Sequence, residues 1–148
     1  MEDEFYRKIL IATDGSDSVK KAIEKGIEIA KLSEATVYAV YVIVPAGYSS
    51  RDFGWEKSLR EFLHSEGEKA VAFVEDAGKN AGVKVIPVLL EGNSADKILE
   101  FAEKEDVDLI VMGTLGKSGF ERFLLGSVAE KVIRHSKLPV MVVRGDEK

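Results

Sequence analysis

Two stretches of this 148-residue chain carry residue types and spacings that can do chemistry. The first is Ala12-Thr13-Asp14-Gly15-Ser16, where a carboxylate follows directly on the apolar run Lys8-Ile9-Leu10-Ile11-Ala12-Thr13. A carboxylate placed there accepts from a sugar hydroxyl, or holds a hydrated Mg²⁺ or Mn²⁺ beside phosphates, and that water-mediated metal contact is the one metal role expected of Asp14. The same residue also suits a turn or a helix N-cap. The second stretch is Gly113-Thr114-Leu115-Gly116, then nine residues, then Gly126-Ser127-Val128. Glycines let backbone N–H groups approach an anion, and a helix start adds unpaired donors with a favourable dipole. Ser127 offers a hydroxyl, and Lys117 and Arg122 lie between the glycines as neutralising cations. Together they describe a phosphate cradle, although glycines in a loop also serve as plain turn punctuation.

Composition removes most other chemistries. The chain has no cysteine, which excludes disulfide scaffolds, thiolate metal sites and thiol nucleophiles. His64 and His135 stand far apart without the spacing of a metal site, and no nucleophile and base stand out as a pair. With 21 Lys and Arg against 26 Asp and Glu the net charge is −5, so there is no broad basic footprint for DNA or an anionic membrane. An acidic start, Met1-Glu2-Asp3-Glu4, and the lack of any apolar run near the roughly 18 residues of a membrane span lead us to expect a cytoplasmic protein. Two Asn, no Gln and abundant Glu and Lys form a bias that hyperthermophile proteins share.

The elements that must position these residues follow from periodicity. Residues 8–13 read as a buried strand closed by Asp14-Gly15-Ser16-Asp17. Val19, Ala22, Ile23, Gly26, Ile27 and Ala30 recur at helical spacing, with Ser16 or Asp17 as the N-cap. Thr36 to Val44 is rich in β-branched and aromatic residues and reads as strand two. A polar loop over 46–54 leads to a long helix from Trp55 to Ala81, and Tyr48, Phe53 and Trp55 make that loop a candidate lid. Val83 to Leu90 is strand three, and Pro87 puts it at a sheet edge or bulge. A helix capped at Gly92-Asn93-Ser94, strand four at Val107 to Met112, a last helix through Val128, Ala129, Val132 and Ile133, and strand five at Pro139 to Arg144 complete the chain. Strands alternating with helices imply one doubly wound α/β domain over residues 1–148, a parallel sheet with helices on both faces. Ligands of such sheets bind beyond the carboxyl ends of the strands, which directs attention to Asp14, Val44 and Gly113.

Gly113-x2-Gly116-x9-Gly126-Ser127, preceded by Asp108-Leu-Ile-Val-Met-Gly113 and joined to Thr13-Asp14-Gly15-Ser16, resembles the ATP-binding branch of the universal stress protein family. The resemblance covers nearly the whole chain. It implies a five-stranded sheet in the order 3-2-1-4-5 and an adenine nucleotide, ATP, as ligand. It implies further that Ala12 lies beside the adenine, that Val42 meets the adenine edge through its backbone, and that Asp14, next to Thr13, contacts the ribose or a metal. Met112 and Gly113 would pack near ribose and base, while Gly116, Gly126, Ser127 and Val128 hold the phosphates. Family members often carry a polar residue such as His where this chain has Leu115, so phosphate contacts there would come from backbone alone.

The resemblance also implies a homodimer, and residues 139–144, an apolar edge strand, are where two copies would pair. The expected function is an ATP-binding regulatory or stress-response module acting on unidentified protein partners, with at most slow hydrolysis, because no general base is evident. Three alternatives come from other classes. A dimeric interaction protein would use no nucleotide. An adenylating ATP pyrophosphatase is echoed by Thr13-Asp14-Gly15-Ser16-Asp17-Ser18, but Asp14 stands where that loop needs a glycine. A phosphate-accepting receiver needs Asp and Lys where Glu91 and Arg144 stand.

Overall fold

The computed structural model describes residues 6–45, 53–114 and 125–145. Five parallel strands, β1 (Lys8–Ala12), β2 (Thr36–Ile43), β3 (Val85–Glu91), β4 (Leu109–Gly113) and β5 (Val140–Val143), form one sheet in the order β3-β2-β1-β4-β5. Four helices connect them: α1 (Lys20–Ser33), α2 (Phe53–Ala81), α3 (Ser94–Lys104) and α4 (Ser127–His135). Successive strand side chains point to opposite faces. Ile9, Ile11, Val37, Ala39, Tyr41, Leu109 and Val111 therefore pack with α1 and α2. Leu10, Ala12, Val40, Ile110 and Met112 pack with α3 and α4. Both faces are covered, as continuous apolar strands require. None of the helices among the described residues is long and apolar enough to cross a membrane.

Backbone direction also alternates along a strand. Lys84 C=O accepts from Val37 N–H, and Gly92 N–H donates to Ile43 C=O, so even-numbered residues of β3 address β2. Pro87 is odd-numbered and sits opposite Ala39 on an edge strand, so its missing N–H faces outward and costs the ladder nothing.

Element ends depart from the sequence reading for identifiable reasons. Val83 and Val107, read as strand starts, instead close helices: Val83 N–H donates to Gly78 C=O and Val107 N–H to Ala102 C=O, with Gly82 and Asp106 in left-handed conformation before them. This is the Schellman pattern with its apolar residue past the cap, and Ala35, after Glu34 at φ 59°, does the same for α1. The helix α2 begins at Phe53, two residues earlier than expected, and β5 is shorter at both ends than 139–144. Neither Ser16 nor Asp17 caps α1. A single 3₁₀ turn, Asp17–Val19, intervenes; Asp17 pairs with Lys20 at 3.2 Å and the Ser16 hydroxyl turns back to Asp14. Asn93 caps α3 as expected, accepting from Asp96 N–H at 3.0 Å.

Candidate functional site

The connection from β3 crosses the sheet to β4, so β1 and β4 are the neighbours at which the chain order reverses. Segments leaving their carboxyl ends must diverge, and the crevice between them is the binding position of such sheets. The register pair Ile11–Val111 sets Ala12 and Met112 one residue further along, both facing the α3 and α4 side. Val42, Leu90 and Val128 pack on the same cluster. The floor of the crevice is thus apolar.

Its border is a peptide group. Thr13 N–H donates to Val40 C=O at 3.0 Å, so even-numbered residues of β2 address β1. The β1 ladder ends at the pair Ala12–Val40. Val42 lies two residues beyond, and its N–H and C=O point side by side to where β1 has turned away.

On the β4 side, Gly126 N–H donates to Thr114 C=O at 2.6 Å, which fastens the start of α4 to the end of β4. Gly126 is the N-cap, in extended conformation and without a side-chain cap bond. The first intrahelical bond runs from Glu130 N–H to Gly126 C=O. The N–H groups of Ser127, Val128 and Ala129 therefore have no acceptor within the helix. An anion at this terminus would meet three donors and the positive end of the dipole.

Asp14 sits on the turn after β1, where Gly15 at φ +80° adopts a conformation that L side chains rarely take. Its Oδ1 accepts from both the N–H and the hydroxyl of Ser16, at 3.0 and 2.6 Å. The described residues bring together no group of three His, Asp or Glu side chains. Among the described residues Asp14 stands without the further ligands of a resident metal site, so they offer the expected Mg²⁺ or Mn²⁺ no protein cage.

The structure brings Ala12, Val42, Met112 and Val128 together on one face, with Gly126 and Ser127 at the start of the helix packed there, while Asp14 stands on the turn beyond β1 and also lines a cleft on the α1 and α2 face. Thr13 differs. Its side chain faces α1 and α2, is 6% exposed, and accepts from Gly15 N–H, so only its backbone borders the crevice. Gly113 also turns its open side away: a Cβ there would meet Ser18 and Val19 at 3.7 Å, ordinary contact. Gly126 contributes a position rather than a donor, since its N–H is spent on Thr114. Leu115, Gly116, Lys117, Arg122 and Tyr48 lie outside the described residues. Glu91, at the end of β3, pairs with Arg60 at 3.2 Å.

Sequence reasoning missed what lies behind Asp14. A cleft of about 260 Å³ opens on the α1 and α2 face, lined by Thr13, Asp14, Lys20, Glu66, Lys69 and Phe73. Tyr41 is buried beneath α2, where a Cβ on Gly67 would lie 2.8 Å from its ring. Burial pushes its hydroxyl above the usual value of 10, and the negative charges of Glu66 and Asp14 add to the effect. The folded state thus holds this proton more tightly than the unfolded chain, so the stabilisation is complete below pH 10 and is lost as pH rises through the folded value. Tyr41→Phe is expected to lose less Tm than wild type between pH 8 and pH 11, measured by scanning calorimetry; equal losses would remove Tyr41 from the alkaline limb.

The model of the universal stress protein family matches residues 5–144. Universal stress protein MJ0531 of Methanocaldococcus jannaschii is 45% identical over 148 residues, covering 99% of this chain and 86% of that one. Among solved structures, hypothetical protein MJ0577 superposes with a TM-score of 0.86 at 31% identity, covering 98% of this chain and all of the other. The universal stress protein from Archaeoglobus fulgidus, solved in complex with dAMP, superposes with a TM-score of 0.71 at 26% identity, covering 95% of this chain and all of the other.

Proposed function

The chain belongs to the universal stress protein family, and from that premise we propose that it binds ATP in the crevice between β1 and β4 as a cytoplasmic regulatory module. The observation that carries the reading is the pairing, in one crevice, of an apolar slot edged by the Val42 peptide with the first N–H groups of α4, which have no acceptor within the helix. Adenine presents an acceptor and a donor side by side at N1 and N6, complementary to the N–H and C=O of Val42. Ala12 and Met112 cover its faces, Asp14 accepts from the ribose, and Ser127, Val128 and Ala129 receive phosphate oxygens. The dAMP complex of the Archaeoglobus relative supports an adenine nucleotide as the ligand class. A divalent cation enters with the phosphates rather than through a protein cage.

Hydrolysis is expected to be slow, because no general base stands out for attack on the terminal phosphate, and the working output is a nucleotide-dependent contact with protein partners. The dimer belongs to the same reading. Among the described residues β5 ends the sheet with apolar side chains and no strand on its outer edge, and antiparallel pairing with β5 of a second copy covers it.

Calorimetric titration of nucleotide-free protein with ATP, with and without Mg²⁺, tests the assignment, and light scattering on the same sample gives the mass. The expected result is micromolar or tighter binding to a two-chain particle. No heat at two temperatures, with no thermal shift, would leave an interaction protein that works without nucleotide.

A further inference from the structure

The chain that leaves β5 runs directly against the turn that carries Asp14. A Cβ on Gly145 would lie 2.7 Å from the Ser18 carbonyl oxygen and 3.3 Å from Cα and Cβ of Ser18, so this backbone seats on the turn only because position 145 has no side chain. Ser18 Oγ is 3.0 Å from Ser16 Oγ, and Ser16 Oγ is 2.6 Å from Asp14 Oδ1. A serine hydroxyl has one proton. Ser16 spends its proton on the carboxylate, so at the 3.0 Å contact Ser18 is the donor and Ser16 the acceptor. The result is a directed chain, Ser18 to Ser16 to Asp14, in which each bond polarises the next. The Ser16 N–H adds a second donor to the same oxygen at 3.0 Å. Two donors on Oδ1 fix the carboxylate plane and leave Oδ2 as the acceptor on offer.

We propose that Ser16, Ser18 and Gly145 form a brace that aims Asp14 at the ribose hydroxyls of the bound nucleotide and ties that contact to the end of the edge strand β5. The proposal rests on the nucleotide reading above and adds its positioning residues. None of the three residues needs to touch the ligand. Without the brace the carboxylate rotates about its side chain, and the ribose contact loses the preorganised geometry that makes it worth its entropy. The link is reciprocal, as any binding linkage is: what tightens Asp14 also holds Gly145 on Ser18, next to the strand that a second copy would cover.

The test compares ATP with 2′,3′-dideoxy-ATP, which share base and phosphates and differ only in the hydroxyls Asp14 would accept. Both are titrated into wild type, Ser16→Ala, Ser16→Thr and Gly145→Ala, with Tm recorded for each. Wild type is expected to prefer ATP by about tenfold, the ordinary worth of a hydrogen bond to a charged group. Ser16→Ala keeps the N–H bond to Oδ1 but loses the hydroxyl, and is expected to narrow the preference for ATP to about threefold or less while dideoxy-ATP stays within about twofold, since its base and phosphate contacts are untouched. Ser16→Thr keeps the hydroxyl and the preference. Gly145→Ala narrows the preference from the far side of the turn; should it fail to fold, Ser16→Ala carries the test. A tenfold preference surviving in Ser16→Ala overturns the brace. Equal binding of both nucleotides by wild type overturns it too, with the nucleotide site intact, whereas wild type binding neither overturns the site itself and the brace with it.

Discussion

Ser127→Glu is expected to weaken ATP binding by about 100-fold and to leave Tm unchanged or slightly raised. Ser127 opens α4, is exposed, and supplies the first of three N–H groups without an intrahelical acceptor. A carboxylate at this position stands about 5 Å from a phosphate held by those groups. At an effective dielectric of about 20 each charge pair then costs about 3 kcal/mol, more than a factor of 100 in affinity. The same carboxylate favours the empty helix by about 0.3–1 kcal/mol through the dipole. Binding and stability therefore move in opposite directions, which separates a lost site from a damaged fold. Ser127→Ala removes only a hydroxyl and is expected to stay within about tenfold of wild type. Retention of wild-type affinity by Ser127→Glu in calorimetry would mean the phosphates do not approach α4.

The largest stability effect is expected at Ile11. This side chain is 0% exposed in the centre of the sheet, beneath α1. Ile11→Ala is expected to cost about 3–4 kcal/mol, or about 10–15 °C in Tm for a chain of this size. Its neighbour gives the prediction a sharper form. A Cβ on Gly26 would lie 2.6 Å from Ile11 Cδ1 and 2.9 Å from Cγ1, and next 3.5 Å from Val111 Cγ1. In wild type, Gly26→Ala therefore forces a packed isoleucine aside, at about 1–3 kcal/mol, which exceeds the gain of about 1 kcal/mol in helix propensity. In the Ile11→Ala background the obstructing atoms are gone and the new methyl fills part of the hole. There Gly26→Ala is expected to raise Tm. The change of sign, read by thermal unfolding of the four proteins, tests the packing; the same sign in both backgrounds would show that helix and sheet do not meet as described.

Much of the fold was legible because each strand of the buried sheet is a continuous apolar run and each helix carries one apolar stripe. Pro87 located an edge, and Asn93 located a cap. What misled at the ends was chemistry shared by two elements. Val83 and Val107 look like the first residues of strands, yet they serve the helices before them, and only Gly82 among the three left-handed residues Glu34, Gly82 and Asp106 announces a helix end in its type. At the site, Ala12, Val42 and Met112 share a face because strand parity puts them there. The same parity carries the Thr13 side chain and the open side of Gly113 to the other face, which a motif written as a string of letters does not encode. The contact between Ser18 and Gly145 was invisible for a different reason: they stand 127 positions apart, and only the sheet order brings the segment after β5 back to the turn after β1.

The outward position of Pro87 bears on how copies of the chain assemble. A five-stranded sheet has two margins at which another copy could add, and polymers grow when both accept. Here the β3 margin lacks the donor at its middle, while the β5 margin carries no proline in Val140–Val143. If two copies pair through β5 as proposed, each covers the other's β5 margin and only the β3 margins remain. Pro87 thus blunts the margin that the proposed β5 pairing leaves open, and Pro87→Ala would hand that margin the donor it lacks.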